Sequence, residues 1–399
     1  MVVCIAGKNS IAVNAAAYVQ RHHPEWQLRI LANRTDKGFD TCQPSIKKWA
    51  LNSSAKLVLL EDLYQLQDLV FVSLEYDRLI APETFKTKRL FNIHFSLLPA
   101  YKGAYTSIWP ILDGRDHTGV TLHEIDRGID TGDIISQVRI PILPEDNSGH
   151  VYARYLEVGF DLFAKWIPRL VSGEYEAAPQ VGEGSSFHSR NSIDFTALRI
   201  DLKQTASYIH DQVRAFAFRE YQLPVVHGFP VCYSESLRTR SKVMPGTIIA
   251  DDDDTLSVAS IDFDVRIYKD QFTSLLAACR NGSAKKVRGY VGKVENLEAR
   301  SPEGWTPLIV AAFHGNVEVV KCLLDLHVDV NQPNYRGTPP LMYAMTPAQA
   351  GNLECLRLLL ERGANLNARD MAGRTAFSYA HERGWTEVTT LLKVNGAAE

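Results

Sequence analysis

Asn92 and His94 stand two residues apart in Leu90-Phe91-Asn92-Ile93-His94-Phe95, and Asp130 follows in Asp130-Thr131-Gly132-Asp133. Together they offer an amide, an imidazole and a carboxylate close to turn-forming residues. In a strand, a spacing of two puts both side chains on one face. An amide N–H can hydrogen-bond a developing oxyanion. An imidazole can accept a proton or, charged, stabilise that oxyanion, and a neighbouring carboxylate can orient it and tune its pKa. Each residue alone has a plainer use: Asn forms turns, a lone His is usually structural, and Asp before Thr-Gly caps a turn. No GxSxG nucleophile pattern is present.

These groups need a scaffold. Val2 to Ala6 is a β-branched run ending at Gly7, and Ala12 to Val19 reads as a helix. Leu28 to Ala32, Lys56 to Leu60 and Leu69 to Ser73 read as strands separated by segments of helical length. Such alternation predicts a mostly parallel sheet covered on both faces. An exposed Asn and His at a strand's carboxyl end would then lie where open α/β sheets place their chemistry. Val120 to His123 and Ile134 to Ile140 read as strands flanking the Asp130 loop, and Val151 to Leu170 as a helix stopped near Gly173. Gly7-Lys8-Asn9-Ser10 lacks the GxGxxG pattern, which argues against a dinucleotide site.

From Phe187 to Tyr268 a second region follows. Ala206 to Phe218 reads as a helix, and Thr247 to Ala250, Leu256 to Ser260 and Asp264 to Tyr268 as three short strands. Asp251 to Asp254 reads as a solvated hairpin tip, because EF-hand spacing is missing. In the last third, Gly282, Gly315, Gly351 and Gly384 recur at 33, 36 and 33 residues, and Gly304, Gly337 and Gly373 at 33 and 36. That is the period of ankyrin repeats, with Pro347 to Ala350 absorbing a three-residue insertion. Gly304-Trp305-Thr306-Pro307-Leu308 matches the repeat consensus, and Leu275 to Ala278 opens a degenerate first unit.

Composition bounds the function. A length of 399 residues implies two or three domains. A formal charge of −3 argues against a nucleic-acid binder working by bulk charge. The six cysteines are scattered without CxxC or zinc-finger spacing, so reduced thiols, no metal and a cytoplasmic location are expected. The first residues lack a signal peptide's basic and apolar regions, and no apolar run reaches membrane-spanning length.

Asn92-Ile93-His94, Ser96-Leu97-Leu98-Pro99-Ala100-Tyr101-Lys102-Gly103 and Asp126 to Ile134 resemble, in order and spacing, the 10-formyltetrahydrofolate-dependent formyltransferases. The resemblance implies a Rossmann-like α/β core with a mostly parallel sheet. Here it would carry a small β-rich middle region and a C-terminal all-α ankyrin repeat domain. It implies direct transfer of a formyl group from N10-formyltetrahydrofolate to an amine, without a covalent enzyme intermediate. Asn92 would be the oxyanion donor, His94 the base and Asp130 its orienter. The pterin would lie between the segments of Glu75, Tyr76, Leu79 and Ile80 and of Asp126 and Arg127. A plainer reading puts Leu79 and Ile80 in the core.

Gly7 to Ala12, Phe187 to Phe195 and Arg214 to Phe218 with Tyr221 to Pro224 resemble the sugar N-formyltransferases, which act on dTDP-linked amino-dideoxyhexoses for surface polysaccharides such as O-antigen. The implied acceptor is dTDP-3-amino-3,6-dideoxy-D-glucose or its 4-amino isomer. Phe218 or Tyr221 would stack the base. Lys8, Arg78, His188 and Arg190 would meet the diphosphate, with Asn9 and Ser10 beside them. An Arg190–Asp194 ion pair and a core role for Phe216 and Phe218 are the alternatives. The expected divisions are 1–185 catalytic, 186–268 substrate-binding and dimer-forming, and 269–399 ankyrin. A homodimer through the middle region is expected. In the repeats, Trp305, Tyr335, Arg336 and Arg374 form either a second nucleotide site or a protein-binding face. The other reading of the whole chain is an inactive formyltransferase-like scaffold that acts through its repeats.

Overall fold

The computed structural model describes residues 1–291, 294, 296–301, 303–345 and 352–397. Its contacts divide the chain into two units, Met1–Phe39 with Gln43–Lys269, and Asp40–Cys42 with Asp270–Glu399.

The first unit is built on a seven-stranded sheet. Its strands are β1 (Val2–Gly7), β2 (Gln27–Ala32), β3 (Lys56–Leu57), β4 (Leu69–Leu74), β5 (Leu90–His94), β7 (His117–Glu124) and β8 (Ile134–Pro141), with the two-residue β6 (Lys102–Gly103) outside it. The order is β3-β2-β1-β4-β5-β7-β8. The first five strands run parallel, and β7 and β8 are antiparallel additions. β3 stops at Leu57, short of the expected Leu60, because Leu60–Leu63 turns into a 3-10 helix whose Asp62 accepts the Leu59 N–H. Sheet order reverses direction between β1 and β4, the switch point where ligand crevices open at strand carboxyl ends.

Helices α1 (Asn9–His22), α2 (Ile46–Leu51), α3 (Trp109–Leu112) and α4 (Ser148–Ser172) accompany the sheet. Ile11, Ala12, Ala15, Ala16 and Val19 give α1 one buried face, set by their helical spacing. α4 begins where Asn147 accepts the His150 N–H and ends at Gly173, whose φ of +79° is the left-handed C-terminal stop. Tyr155, Phe163 and Ile167 on its buried face join Val72, Phe91 and Ile93 of the sheet in one core. Deleting a ring such as Phe163 from that core would cost about 3–5 kcal/mol.

After β9 (Phe187–His188), helix α5 (Ala206–Phe216) and strands β10 (Val225–Val226), β11 (Phe229–Ser236), β12 (Ile248–Asp251), β13 (Thr255–Val258) and β14 (Val265–Lys269) form a five-stranded sheet in the order β10-β11-β14-β13-β12. β11 was not foreseen, since Pro230 interrupts its apolar run. α5 ends two residues before the expected Phe218, because the Phe218 N–H turns to Gln222. Ile209, Val213, Val231, Leu256 and Ile267 belong to the same core as the first sheet. At the β12–β13 tip, Asp252 accepts the N–H groups of Asp254 and Thr255, and Lys269 pairs with Asp251.

Among the described residues the second unit holds four helix pairs: α6 (Phe272–Arg280) with α7 (Ala284–Gly289), α8 (Pro307–Phe313) with α9 (Val317–Asp325), α10 (Pro340–Ala344) with α11 (Asn352–Glu361), and α12 (Ala376–Glu382) with α13 (Thr386–Val394). Gly304, at φ +88°, turns the chain beneath the Tyr335 ring, which a Cβ would meet at 2.7 Å. Thr306 caps α8 by accepting the Ile309 N–H, and Thr375 caps α12 in the same way. The expected insertion at Pro347 to Ala350, and Gly351, lie outside the described residues.

Candidate active site

Three strand ends and one loop build the site. Asn92 and His94 project from the last turns of β5 on one face, as their spacing requires. β7 pairs antiparallel with β5, so His123 falls opposite Asn92 and Thr121 opposite His94. The β7–β8 loop then returns Asp130 to the pair. Asp130 takes a left-handed φ of +53°. Gln180 Nε2 donates to the carbonyls of Asp130 and Gly132 and holds the loop there.

The polar contacts form one network. Asn92 Nδ2 lies 3.3 Å from Asp130 Oδ1 and 3.1 Å from His123 Nε2. His123 Nδ1 meets the Glu124 carbonyl at 2.7 Å, so Nδ1 carries the hydrogen and Nε2 is the acceptor for Asn92. The Gly103 N–H donates to Asp130 Oδ2 at 2.9 Å. His94 Nε2 meets the Tyr101 carbonyl at 2.9 Å, and its Nδ1 stands 3.5 Å from Asp130 Oδ2. A carbonyl only accepts, so the His94 hydrogen sits on Nε2 and Nδ1 is the basic nitrogen.

Two expectations change here. His94 is buried at 8% exposure rather than exposed, because the Tyr101 carbonyl meets its ring and β7 pairs alongside it. Both Asn92 N–H bonds also have partners, so oxyanion donation requires the 3.3 Å contact with Asp130 to yield to substrate.

Burial sets the charges. It lowers the His94 pKa from the ordinary histidine value, against Asp130 and the Tyr101 carbonyl, which raise it. Burial works against the charged Asp130 too, but His94, His123 and the Gly103 N–H hold it well below the usual carboxylate range. Burial thus favours the neutral imidazole, while the donors around Asp130 favour its charged carboxylate.

Asn92, His94, His123 and Asp130 line a cavity of about 640 Å³. Tyr76, Leu79 and Ile80, Asp126, Arg127 and Ile129, and Lys8, His188 and Arg190 also line it. Leu79 is 76% exposed at this opening, which removes the core reading for it. Asp126 binds the Thr131 hydroxyl and the Gly128 N–H, so its carboxylate shapes the loop. Arg127 lies 3.8 Å from Glu83 and Arg78 3.9 Å from Glu61. Glu75 turns its carboxylate to Asn9 and Tyr152.

β9 pairs with β6, laying His188 flat between Trp109 at 4.0 Å and Tyr101 at 6.0 Å between ring centroids. Asp194 binds the N–H and hydroxyl of Thr196, which goes against the alternative reading of an Arg190–Asp194 ion pair. Ser10 offers its N–H to Gln43. Phe216 is core, whereas Phe218 is half-buried and lies edge-on to Tyr221, which is 54% exposed. Phe218 also meets the Tyr152 ring.

In the second unit, Trp305 packs its ring on Phe313 and Tyr343. Tyr335 takes the Arg300 guanidinium, while Arg374 stacks on Tyr379 and pairs with Glu382. Arg336 is exposed. Arg374 is thus engaged within its own repeat, and Arg300 is the arginine at Tyr335.

His123, Tyr152 and Gln180 escaped sequence reading, and Gly103 was legible as part of a loop motif but not as a donor to Asp130. His123 looked like one residue of an alternating strand, and only antiparallel register reveals its partner. Among the described residues, no group of three His, Cys, Asp or Glu side chains is placed to hold a metal ion, and no helix is long and apolar enough to cross a membrane.

The formyl transferase family model matches residues 2–167, and the ankyrin repeat model, in three copies, matches 275–370. The chain belongs to the formyltransferase family and carries ankyrin repeats. The N-formyltransferase from Helicobacter canadensis, solved with folinic acid and dTDP-3-aminofucose, is 40% identical, with a TM-score of 0.63 over 67% of this chain and 100% of that one. WlaRD, a sugar 3N-formyltransferase solved with dTDP and 5-N-formyl-THF, is 38% identical, with a TM-score of 0.63 over 67% of this chain and 97% of that one. Methionyl-tRNA formyltransferases also match. That of Halalkalibacterium halodurans is 32% identical over 43% of this chain and 54% of its own, and that of Listeria monocytogenes is 30% identical over 59% and 76%. The chain thus spans about half the length of the first of these relatives.

Proposed function

We propose that this chain moves the formyl group of N10-formyltetrahydrofolate onto the amine of a dTDP-linked 3-amino-3,6-dideoxyhexose. The observation that carries this reading is His94 Nδ1, 3.5 Å from Asp130, in a cavity lined by both apolar and basic residues. The amine attacks the formyl carbon, and the oxygen takes the displaced pair, stabilised by the Asn92 N–H as Asp130 releases it. His94 Nδ1 takes the proton from the new ammonium centre, and Asp130 stabilises the imidazolium. The carbonyl then re-forms, the bond to N10 breaks and N10 takes the proton.

Leu79 and Ile129 in this lining suit the pterin, and Lys8, His188 and Arg190 suit a diphosphate. Similarity over essentially the full length of two sugar enzymes favours the sugar over methionyl-tRNA, and the dTDP-3-aminofucose bound to one and the 3N-specificity of the other favour the 3-amino isomer. The product would serve surface polysaccharide synthesis in the cytoplasm. Exposed Tyr233 and Ile249 on the second sheet, with Phe263 in the β13–β14 loop, support a homodimer formed there. The aromatic group at Trp305, with Tyr335 and Arg300, supports a second nucleotide site, with Arg336 as a phosphate ligand.

Incubation with 10-formyltetrahydrofolate and dTDP-linked 3-amino sugars, 4-amino sugars or methionyl-tRNA tests the reading. Formylation of the 3-amino sugar in preference to the others is expected. Turnover of none of them would favour the inactive scaffold.

A further inference from the structure

Glu75 is a carboxylate that the catalytic trio does not use. In the sheet register Ser73 pairs with Asn92 and Leu74 with Ile93, so Glu75 comes beside His94 at the next strand end. On its other side Gly7 pairs with Leu74, which brings Lys8 and Asn9 alongside. A Cβ on Gly7 would stand 1.8 Å from the Leu74 carbonyl oxygen, so only glycine permits this approach.

The side chain is held from two elements. Asn9 Nδ2 donates to Oε2 at 2.9 Å, and the Tyr152 hydroxyl lies 2.8 Å from Oε2 and 3.0 Å from Oε1. Oε1 thus receives only the longer arm of one shared bond and keeps lone-pair capacity, and Glu75 lines the cavity. The backbone is strained to achieve this: Glu75 has φ +61° and Asn9 has φ +65°. Non-glycine residues in this region cost energy and cluster at functional sites. Asn33 Nδ2 fixes the Glu75 carbonyl at 2.9 Å, which locks the turn.

The acceptor amine reaches the enzyme mostly as an ammonium ion, which has no lone pair for attack. Formylating R–NH3+ removes two protons from nitrogen, and N10 of the departing folate takes only one. His94 accounts for the proton lost after attack, so the proton lost before it needs a second acceptor.

We infer that Glu75 binds the acceptor's ammonium group through Oε1 and takes its first proton, which delivers the neutral amine to the formyl carbon. This rests on the amino-sugar reading of the site. The N–H bond of the ammonium breaks and an O–H bond forms on Glu75. The freed nitrogen pair makes the C–N bond, and the second proton passes through His94 to N10. Glu75 later returns its proton to solvent, one per turnover.

The groups facing Glu75 suit this task. Lys8 follows β1, the neutral Asn9 and Asn33 flank it, Tyr152 comes from α4, Asp77 and Arg78 follow in its own loop, and His94 stands at the adjacent strand end. Burial raises the Glu75 pKa above the ordinary glutamate value, against Lys8 and the bonds from Tyr152 and Asn9. A raised value is what a carboxylate needs to hold an amine's proton near neutral pH.

The test is the pH dependence of full-length Glu75→Gln with a dTDP-3-amino sugar. The amide keeps the shape and loses the charge. At pH 7, kcat/KM for the sugar should fall at least about tenfold, since about a tenth of an amine with a pKa near 8 is neutral there. The loss should shrink as pH rises past the amine's own pKa, and the KM of the formyl donor should stay near that of the native protein. Unchanged kcat/KM at pH 7, a loss uniform from pH 6 to 9, or a raised donor KM in its place would each overturn the inference. Should Glu75→Gln fail to fold by circular dichroism, Tyr152→Phe decides. Removing a bond that lowers the Glu75 pKa should move the acid limb to higher pH and spare the alkaline rate, and an unmoved limb overturns the inference. Absence of sugar turnover by the native protein would instead defeat the functional reading on which this rests.

Discussion

His94 Nδ1 faces Asp130 Oδ2 at 3.5 Å while His94 Nε2 is tied to the Tyr101 carbonyl at 2.9 Å. One ring nitrogen is thereby fixed as donor and the other left to collect a proton beside a carboxylate. His94→Asn and Asp130→Asn should fold normally and lose about two or more orders of magnitude in turnover. Asn92→Ala should lose a similar factor through the oxyanion donor. Steady-state kinetics with the 3-amino sugar checks all three, and near-native rates throughout would end the assignment.

Titration of His94, followed by NMR, should show a pKa below the ordinary 6.5, because burial outweighs the pull of Asp130. Asp130→Asn should lower it further by removing the charge that favours the imidazolium. The sign also fixes stability. Below pH 6.5 the unfolded chain binds a proton at this residue that the folded chain refuses, so stability falls as pH drops from 6.5 to the folded pKa. Asp130 acts lower down, where its depressed pKa gives stability that is present above pH 4 or so and lost on acidification.

His123 Nε2 holds the Asn92 amide at 3.1 Å and so positions it. His123→Ala should lower kcat by about 10- to 100-fold, the scale of a misplaced catalytic group, with donor and acceptor KM little changed. His123→Gln, which retains an acceptor for the Asn92 N–H, should recover part of the loss. Equal rates in both variants would remove this role.

Phe218 and Tyr221 meet edge to face at 4.6 Å, with Tyr221 open to solvent. Replacing either by Ala should raise the sugar KM several-fold, the scale of one lost aromatic contact of about 1 kcal/mol, and leave the folate KM nearly unchanged. Comparison of dTDP- and UDP-linked acceptors reports whether the ring reads the base.

For the repeats, calorimetry of the full chain with dTDP should show two binding events, of which Trp305→Ala removes one. A single event unchanged by the substitution would leave a protein partner as the better reading of that surface.

Local rules were enough for much of this molecule. A spacing of two put Asn92 and His94 on one face, a 33-residue period announced four helix pairs, and Gly173 marked the end of a long helix. Those signals are short-range, because strand alternation, helix pitch and left-handed glycine are properties of neighbouring residues. The pairing of β7 against β5 is different in kind. It sets His123 against Asn92 across 31 residues and returns Asp130 to both, and nothing near His123 in sequence encodes that register. Glu75 shows the same division: its position after a strand was legible, but its side chain's choice of Asn9 and Tyr152, 66 and 77 residues away, was made by packing α1 and α4 against the sheet. Chemistry was written in residue type and local spacing, whereas tautomer, burial and the partner of each polar group were decided only when distant strands closed around them.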